Sequence, residues 1–120
     1  MSLTTLVLGA SPKSDRYSNL AVRRLVSHGH PVIAVGRRPG VIEATPIVTE
    51  VPPDLPIDTV TLYMNADNQR AWEDRILAWA PRRIIFNPGA ENERLSRRAT
   101  AKGIVALEAC TLVMLSTGQY

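Results

Sequence analysis

Apolar positions along the chain alternate between strand-like runs and helical spacing. Leu3–Leu8 (LTTLVL) is short, apolar and partly β-branched, and it runs into Gly9, the pattern of a buried strand with a tight exit. Tyr17–His28 then carries Leu20, Ala21, Leu25 and Val26 at helical spacing, with Gly29 as a stop. Pro31–Gly36 (PVIAVG) reads as a second buried strand. The first 36 residues therefore predict one strand–helix–strand crossover.

The stretch Pro39–Asp58 holds five prolines and predicts mostly irregular chain, with Ile47–Thr49 as a brief edge strand. Asp58–Tyr63 (DTVTLY) reads as the next strand. Asn65 is placed to cap a helix reaching Ala80, with Trp72, Ile76, Trp79 and Ala80 on one face and Pro81 behind. The two tryptophans read as core or as an oligomer contact rather than a base-stacking platform. Arg83–Phe86 is a further strand and Asn87-Pro88-Gly89 a turn. Glu91–Lys102 predicts a helix with acids first, bases later and Gly103 behind it. Ile104–Leu107 is a last strand, and Thr111–Ser116 a short helix.

Strands alternating with helices predict an α/β fold: a three-layer, Rossmann-like, doubly wound, mainly parallel sheet of five to six strands. A single domain over residues 1–120 is expected, without room for a second, substrate-carrying one. Ligands of such sheets bind outside the carboxyl ends of the strands, where strand order reverses. That singles out the loops 9–16, 36–40, 63–67, 87–92 and 108–111.

A net charge of +3, dispersed along the chain, argues against nucleic acid as a partner. The lone cysteine, Cys110, excludes an intramolecular disulfide framework. No apolar run is long enough to span a bilayer and no signal segment is visible, so a cytoplasmic protein without membrane contact is expected. His28 and His30 flank Gly29, at the wrong end of the sheet for a site. With a distant cysteine they form no metal-ligand set, so no metal is expected.

The first loop, Gly9-Ala10-Ser11-Pro12-Lys13-Ser14-Asp15-Arg16-Tyr17-Ser18, is the most informative segment. Gly9 permits a sharp turn and a close backbone approach. Ser11 offers a hydroxyl, and Lys13 and Arg16 offer cations beside a helix start whose free N–H groups favour an anion. Together they describe a pyrophosphate site. The loop lacks both G-x-G-x-x-G and G-x-x-x-x-G-K-[ST], which counts against a dinucleotide fingerprint and against nucleotide hydrolysis. After the second strand, Arg37 and Arg38 stand where an NAD-binding domain places an acid. They suit a phosphate on the ribose, as in NADP or coenzyme A, and they also read as solvated surface charges.

The stretches Gly9-Ala10-Ser11-x-Lys13, Arg16-Tyr17-Ser18, Asp58–Tyr63, Asn87-Pro88-Gly89-x-Glu91-Asn92 and Ala109-Cys110-Thr111-Leu112-Val113 occur in this order. In them the chain resembles the small stand-alone coenzyme A-binding proteins of bacteria and archaea. These are similar to the coenzyme A-binding domain of the succinyl-CoA synthetase alpha subunit. The resemblance implies that Gly9, Ser11, Lys13 and Arg16, within the segment that includes Ala10, Tyr17 and Ser18, face the pyrophosphate. It implies that Arg37 and Arg38 meet the adenosine phosphate. Tyr63 and the Asn87, Pro88 and Gly89 turn would border the adenine and pantetheine parts. Relative to longer members the chain is shortened between Val41 and Asp58, at the outer wall of the adenine site.

The synthetase's catalytic histidine lies outside that domain, and no counterpart is present, so no catalytic residue is assigned. Cys110 follows the last strand on the ligand side, without a neighbouring base in sequence; it reads as a small apolar core residue or as a thiol near the coenzyme's own. Glu91 and Asn92 also fall at the ligand side, where a helix start suffices to explain an acid. The expectation is non-catalytic binding of coenzyme A or acyl-CoA, as carrier, sensor or partner subunit, with a homodimer as a possible assembly. The alternative is an NADP-dependent reductase or an acyl-CoA-processing enzyme.

Overall fold

β1 (Thr5–Leu8) has every side chain buried and is paired in parallel on both sides, with β2 (Val32–Val35) and β5 (Thr59–Leu62). Apolar, β-branched side chains facing helices on both sides are what such a central strand requires. The computed structural model describes residues 3–52 and 54–120; Pro53, one of the five prolines, lies outside them, as do Met1 and Ser2 of the expected domain.

Between β1 and β2 runs α1 (Tyr17–Ser27). After β2 come β3 (Gly40–Ile42) and β4 (Thr45–Val48). Beyond β5 the chain forms α2 (Ala66–Gln69), α3 (Glu73–Trp79), β6 (Arg83–Phe86), α4 (Glu93–Ala101), β7 (Val105–Glu108) and α5 (Thr111–Ser116). The sheet order is β3-β4-β2-β1-β5-β6-β7, parallel throughout except for the β3–β4 pair. Strand order reverses between β1 and β5, so the doubly wound, Rossmann-like architecture holds.

Side chains alternate between the two faces of the sheet. Leu6, Leu8, Val60, Leu62, Ile84 and Phe86 pack with Ile76, Leu77, Leu95 and Ala99 of α3 and α4. Val7 and Ala34 pack with Val22 and Leu25 of α1 and Leu115 of α5. The second face is partly polar: Thr61 Oγ1 and Thr111 Oγ1 lie 2.8 Å apart, and Arg83, only 6% exposed, donates from Nε to Thr59 Oγ1 at 2.9 Å. The β-branched threonines of DTVTLY thus serve both strand geometry and buried hydrogen bonding.

Three elements differ from the sequence expectation. The proline-rich stretch forms the β3–β4 hairpin, raising the sheet to seven strands instead of five to six. Its turn, Glu43–Ala44, contains neither glycine nor asparagine, although Glu43 takes φ 52°. Burial of Ile42 and Ile47 against the sheet secures it, and β4 meets β2 through Ile47 and Val48, beyond Pro46. The helix expected from Asn65 to Ala80 is broken at Arg70–Trp72. There Arg70 N donates to Asp67 O and Trp72 N to Gln69 O, three-residue contacts that tighten the chain. Trp72 therefore precedes α3; it and Trp79 are half-buried against the core, with Arg75 over the Trp72 ring at 4.4 Å. Finally, α4 starts at Glu93 rather than Glu91, because Asn92 Oδ1 caps it by accepting from Leu95 N at 3.1 Å. Among the described residues no helix is long and apolar enough to cross a membrane.

Candidate functional site

The site begins where β1 ends. Gly9 takes φ 96°, and a Cβ there would stand 2.8 Å from the Tyr63 carbonyl oxygen, so glycine lets the β1 and β5 exits meet. Gly9 N and Ala10 N both donate to Val35 O, at 3.0 and 2.9 Å. Those two amides are engaged by β2 and are not free for a ligand.

Beyond them the loop is held from α1. Asn19 Nδ2 donates to Ser11 O at 2.9 Å, Arg23 Nε to Asn19 Oδ1 at 2.8 Å, and Arg23 Nη2 to Ser14 O at 3.2 Å. Ser11 Oγ accepts from Lys13 N at 3.2 Å. Asn19 and Arg23 had no signal in the sequence beyond their place on a helix, since their partners lie in the preceding loop.

The start of α1 is bare. Arg16, in the capping position, supplies no side-chain acceptor, and the first turn contains no acid. By contrast Asn65 caps α2, Asn92 caps α4, and Asn87 Oδ1 accepts from Thr111 N at the start of α5. An uncapped start of an eleven-residue helix leaves N–H donors and a positive dipole end to an outside acceptor. Arg16 is exposed beside it and enters no ion pair among the described residues.

This helix start opens onto a cleft of about 250 Å³ at the carboxyl ends of β1, β5 and β6. Gly9, Ser11, Arg16, Tyr17 and Ser18 form one wall; Tyr63, Met64 and Asn65 form the second; Pro88, Gly89 and Ala90 form the third. A second, more apolar cleft of about 260 Å³ shares Tyr17, Tyr63 and Pro88 with it and extends past Asn87 to Cys110 and Leu112. Tyr17, 75% exposed, stands at the mouth of both. The Tyr63 hydroxyl is buried with no hydrogen-bond partner among the described residues, and burial pushes its pKa well above the usual phenol range.

Of the sequence candidates, Gly9, Ser11, Arg16, Tyr17, Ser18, Tyr63, Pro88 and Gly89 are brought together at the first cleft, and Asn87 at the second. Ala10, Lys13, Arg37 and Arg38 line neither. Ala10 is buried; Lys13 is exposed on the loop; Arg37 and Arg38 are exposed beyond β2. Asn87 is only 2% exposed, and its carboxamide is engaged internally: Nδ2 donates to Thr61 Oγ1 and Leu62 O, at 2.7 and 2.9 Å. Glu91 closes the turn by accepting from Gly89 N at 2.9 Å. Met64, Asn65 and Ala90 join the lining from loops that the strand ends had marked, though no residue type singled them out. Cys110 is half-buried and faces the second cleft.

His28 and His30 lie after α1, at the other end of the sheet, where His30 packs edge-on to the Tyr120 ring at 4.8 Å. Among the described residues no group of three or more His, Cys, Asp or Glu is placed to hold a metal.

The chain is similar to an uncharacterized protein of known crystal structure, at 47% sequence identity and TM-score 0.94, over 100% of this chain and 99% of that one. It shares its fold with a hypothetical protein from Pyrococcus horikoshii OT3, at 21% identity and TM-score 0.84, over 94% of this chain and 81% of that one. It also shares it with cell-free ID.343 from Thermus thermophilus, at 19% identity and TM-score 0.85, over 99% and 91% of the two chains. No curated protein matches. The family model described as CoA binding domain matches residues 3–116, nearly the whole chain, and coenzyme A binding in general is what that family supports. By this match, and by the resemblance in its loops, the protein belongs to the CoA binding domain family.

Proposed function

We propose that the protein binds coenzyme A or an acyl-CoA across the two joined clefts, and acts as carrier, sensor or partner subunit rather than as a catalyst. The observation that carries this reading is the bare start of α1, with Arg16 beside it, at the point where strand order reverses. An anion there satisfies free N–H groups that no side chain serves, and a pyrophosphate is the anion that coenzyme A offers. Ser11, Arg16 and Ser18 would hold it.

The more apolar second cleft suits the pantetheine arm, with the Tyr63 side chain forming part of its wall. Bound coenzyme A would supply its own thiol as the reactive group. Arg37 and Arg38, exposed on the neighbouring loop, would serve the 3′-phosphate as cations outside the cleft proper. Lys13 would act in the same way. These side chains lie outside the two clefts, so their contribution is long-range attraction.

Isothermal titration with coenzyme A, dephospho-coenzyme A and NADP tests this reading. Coenzyme A is expected to bind, and more tightly than the dephospho form. Binding of NADP alone would move the protein to the reductase reading, and binding of none would overturn the proposal.

A further inference from the structure

Beneath the first cleft lies a buried chain of polar side chains, Gln69, Asn92 and Glu73, none of which lines the cleft itself. Gln69, at 0% exposure, is its centre. Its Nε2 donates to Met64 O at 2.8 Å and to Ala90 O at 2.7 Å, carbonyls belonging to two different cleft walls. Its Oε1 accepts from Asn92 Nδ2 at 2.8 Å, which fixes the amide's orientation, since the reversed amide would set oxygen against both carbonyls. Asn92 Nδ2 also donates to Glu73 Oε2 at 3.1 Å. Glu73, 2% exposed, is neutralised by Arg98 at 3.0 Å and Arg94 at 3.4 Å.

We propose that Gln69 is a positioning residue for coenzyme binding, setting the separation of the Met64 and Ala90 walls from below, with Asn92 holding its amide in register. The inference rests on the coenzyme reading above. One amide that bridges the Met64 carbonyl and the Ala90 carbonyl, the latter 21 residues away from it in sequence, defines a distance between loops that separate strands would otherwise leave to themselves. The backbone of the same residue marks the break between α2 and α3, where Trp72 N donates to the Gln69 carbonyl oxygen at 2.8 Å. Cleft width and helix break therefore share one residue. A cleft held open at a set width before the ligand arrives binds with less reorganisation.

The test uses the full chain and two variants, Gln69→Met, which keeps length and volume but removes both donors, and Asn92→Ser, which keeps a cap for α4 but releases the Gln69 amide. Ile104→Ala, a core truncation ahead of β7 at the far end of the sheet, is the stability control. Coenzyme A affinity is expected to fall tenfold or more in Gln69→Met and by a smaller factor in Asn92→Ser. It is expected to stay within twofold in Ile104→Ala despite an equal or larger loss of melting temperature. Without ligand, the amide resonances of Asn65 and Glu91, which share peptide groups with the bridged carbonyls, should move in Gln69→Met and hold in Ile104→Ala. If Gln69→Met fails to fold, Asn92→Ser decides alone. Affinity within twofold of the parent in the decisive variant, or an equal loss in Ile104→Ala, overturns the inference and leaves the coenzyme reading standing. A parent protein that does not bind coenzyme A overturns both.

Discussion

Gly36 packs so tightly on the first loop that a Cβ at this position would stand 2.5 Å from the Ala10 carbonyl oxygen and 2.9 Å from Ile47 Cγ2. The exit of β2 is thereby wedged between the loop that begins the site and the hairpin that closes the sheet edge. Gly36→Ala forces backbone, rather than a flexible side-chain tip, to move. A stability loss of about 1–3 kcal/mol is expected, the usual range for overpacking, read from urea denaturation midpoints. An unchanged midpoint would mean that the loop yields freely.

Arg16 and Lys13 should separate in solution although the sequence presents them alike. Arg16 lines the first cleft and Lys13 lines neither. Arg16→Ala should weaken coenzyme A about 10- to 100-fold, the range of a lost charge-assisted contact. Lys13→Ala should cost about threefold or less, through a field that salt screens. Thermal stability should change little in either variant, because both side chains are exposed. Equal losses of affinity would show that the loop reshapes around the ligand.

Asn87→Leu should be among the more damaging single changes at the ligand side. It strips Thr111 N of its acceptor and Leu62 O of a side-chain donor, both beneath the second cleft. Each buried group left unpaired costs about 1–3 kcal/mol, so a clear fall in melting temperature is the expected outcome. A melting curve that overlays the parent's would refute the structural role assigned to this amide.

At the opposite end of the sheet, Asp58 governs an acid-side stability window. Arg82 donates to it twice, at 2.9 and 3.1 Å, and that hydrogen bonding holds its carboxyl below the usual 3.8; the Thr59 hydroxyl adds to the effect at 2.7 Å. A carboxylate whose folded pKa is depressed contributes stability that is complete above its unfolded pKa and disappears as pH falls through the folded one. Stability should therefore decline below about pH 4, and Asp58→Asn should flatten the decline. Near neutral pH that substitution should cost on the order of 1 kcal/mol or less, since the Arg82 side chain is 54% exposed. Chemical denaturation across pH 3–7 measures both.

Much of the architecture was legible along the chain because periodicity reports burial directly. The run at Leu3–Leu8 contains β1, and Thr111–Ser116 is α5 as expected. Asn65 caps a helix, as its place before the run implied, yet that helix stops at Gln69. The apolar spacing of Ile76 and Trp79 belongs to α3 alone, and nothing in a spacing announces a break made by hydrogen bonds. The β3–β4 hairpin was hidden for a related reason: five prolines argue for irregular chain, while the burial of Ile42 and Ile47 that overrides them depends on where β2 lies.

The candidate site divides along the same line. By itself the sequence determined the alternation of the parallel strands with helices, the loops gathered at the strand ends, and the cation-bearing start of α1, because each is written in neighbouring residues. Tertiary structure alone decided that Arg16 faces the cleft while Lys13, Arg37 and Arg38 stand outside it. It alone decided that Asn87 and Gln69 tie loops together from below. Their partners are backbone groups distant in sequence, and a carboxamide's role is set by whichever carbonyls and amides the packed sheet brings within about 3 Å of it.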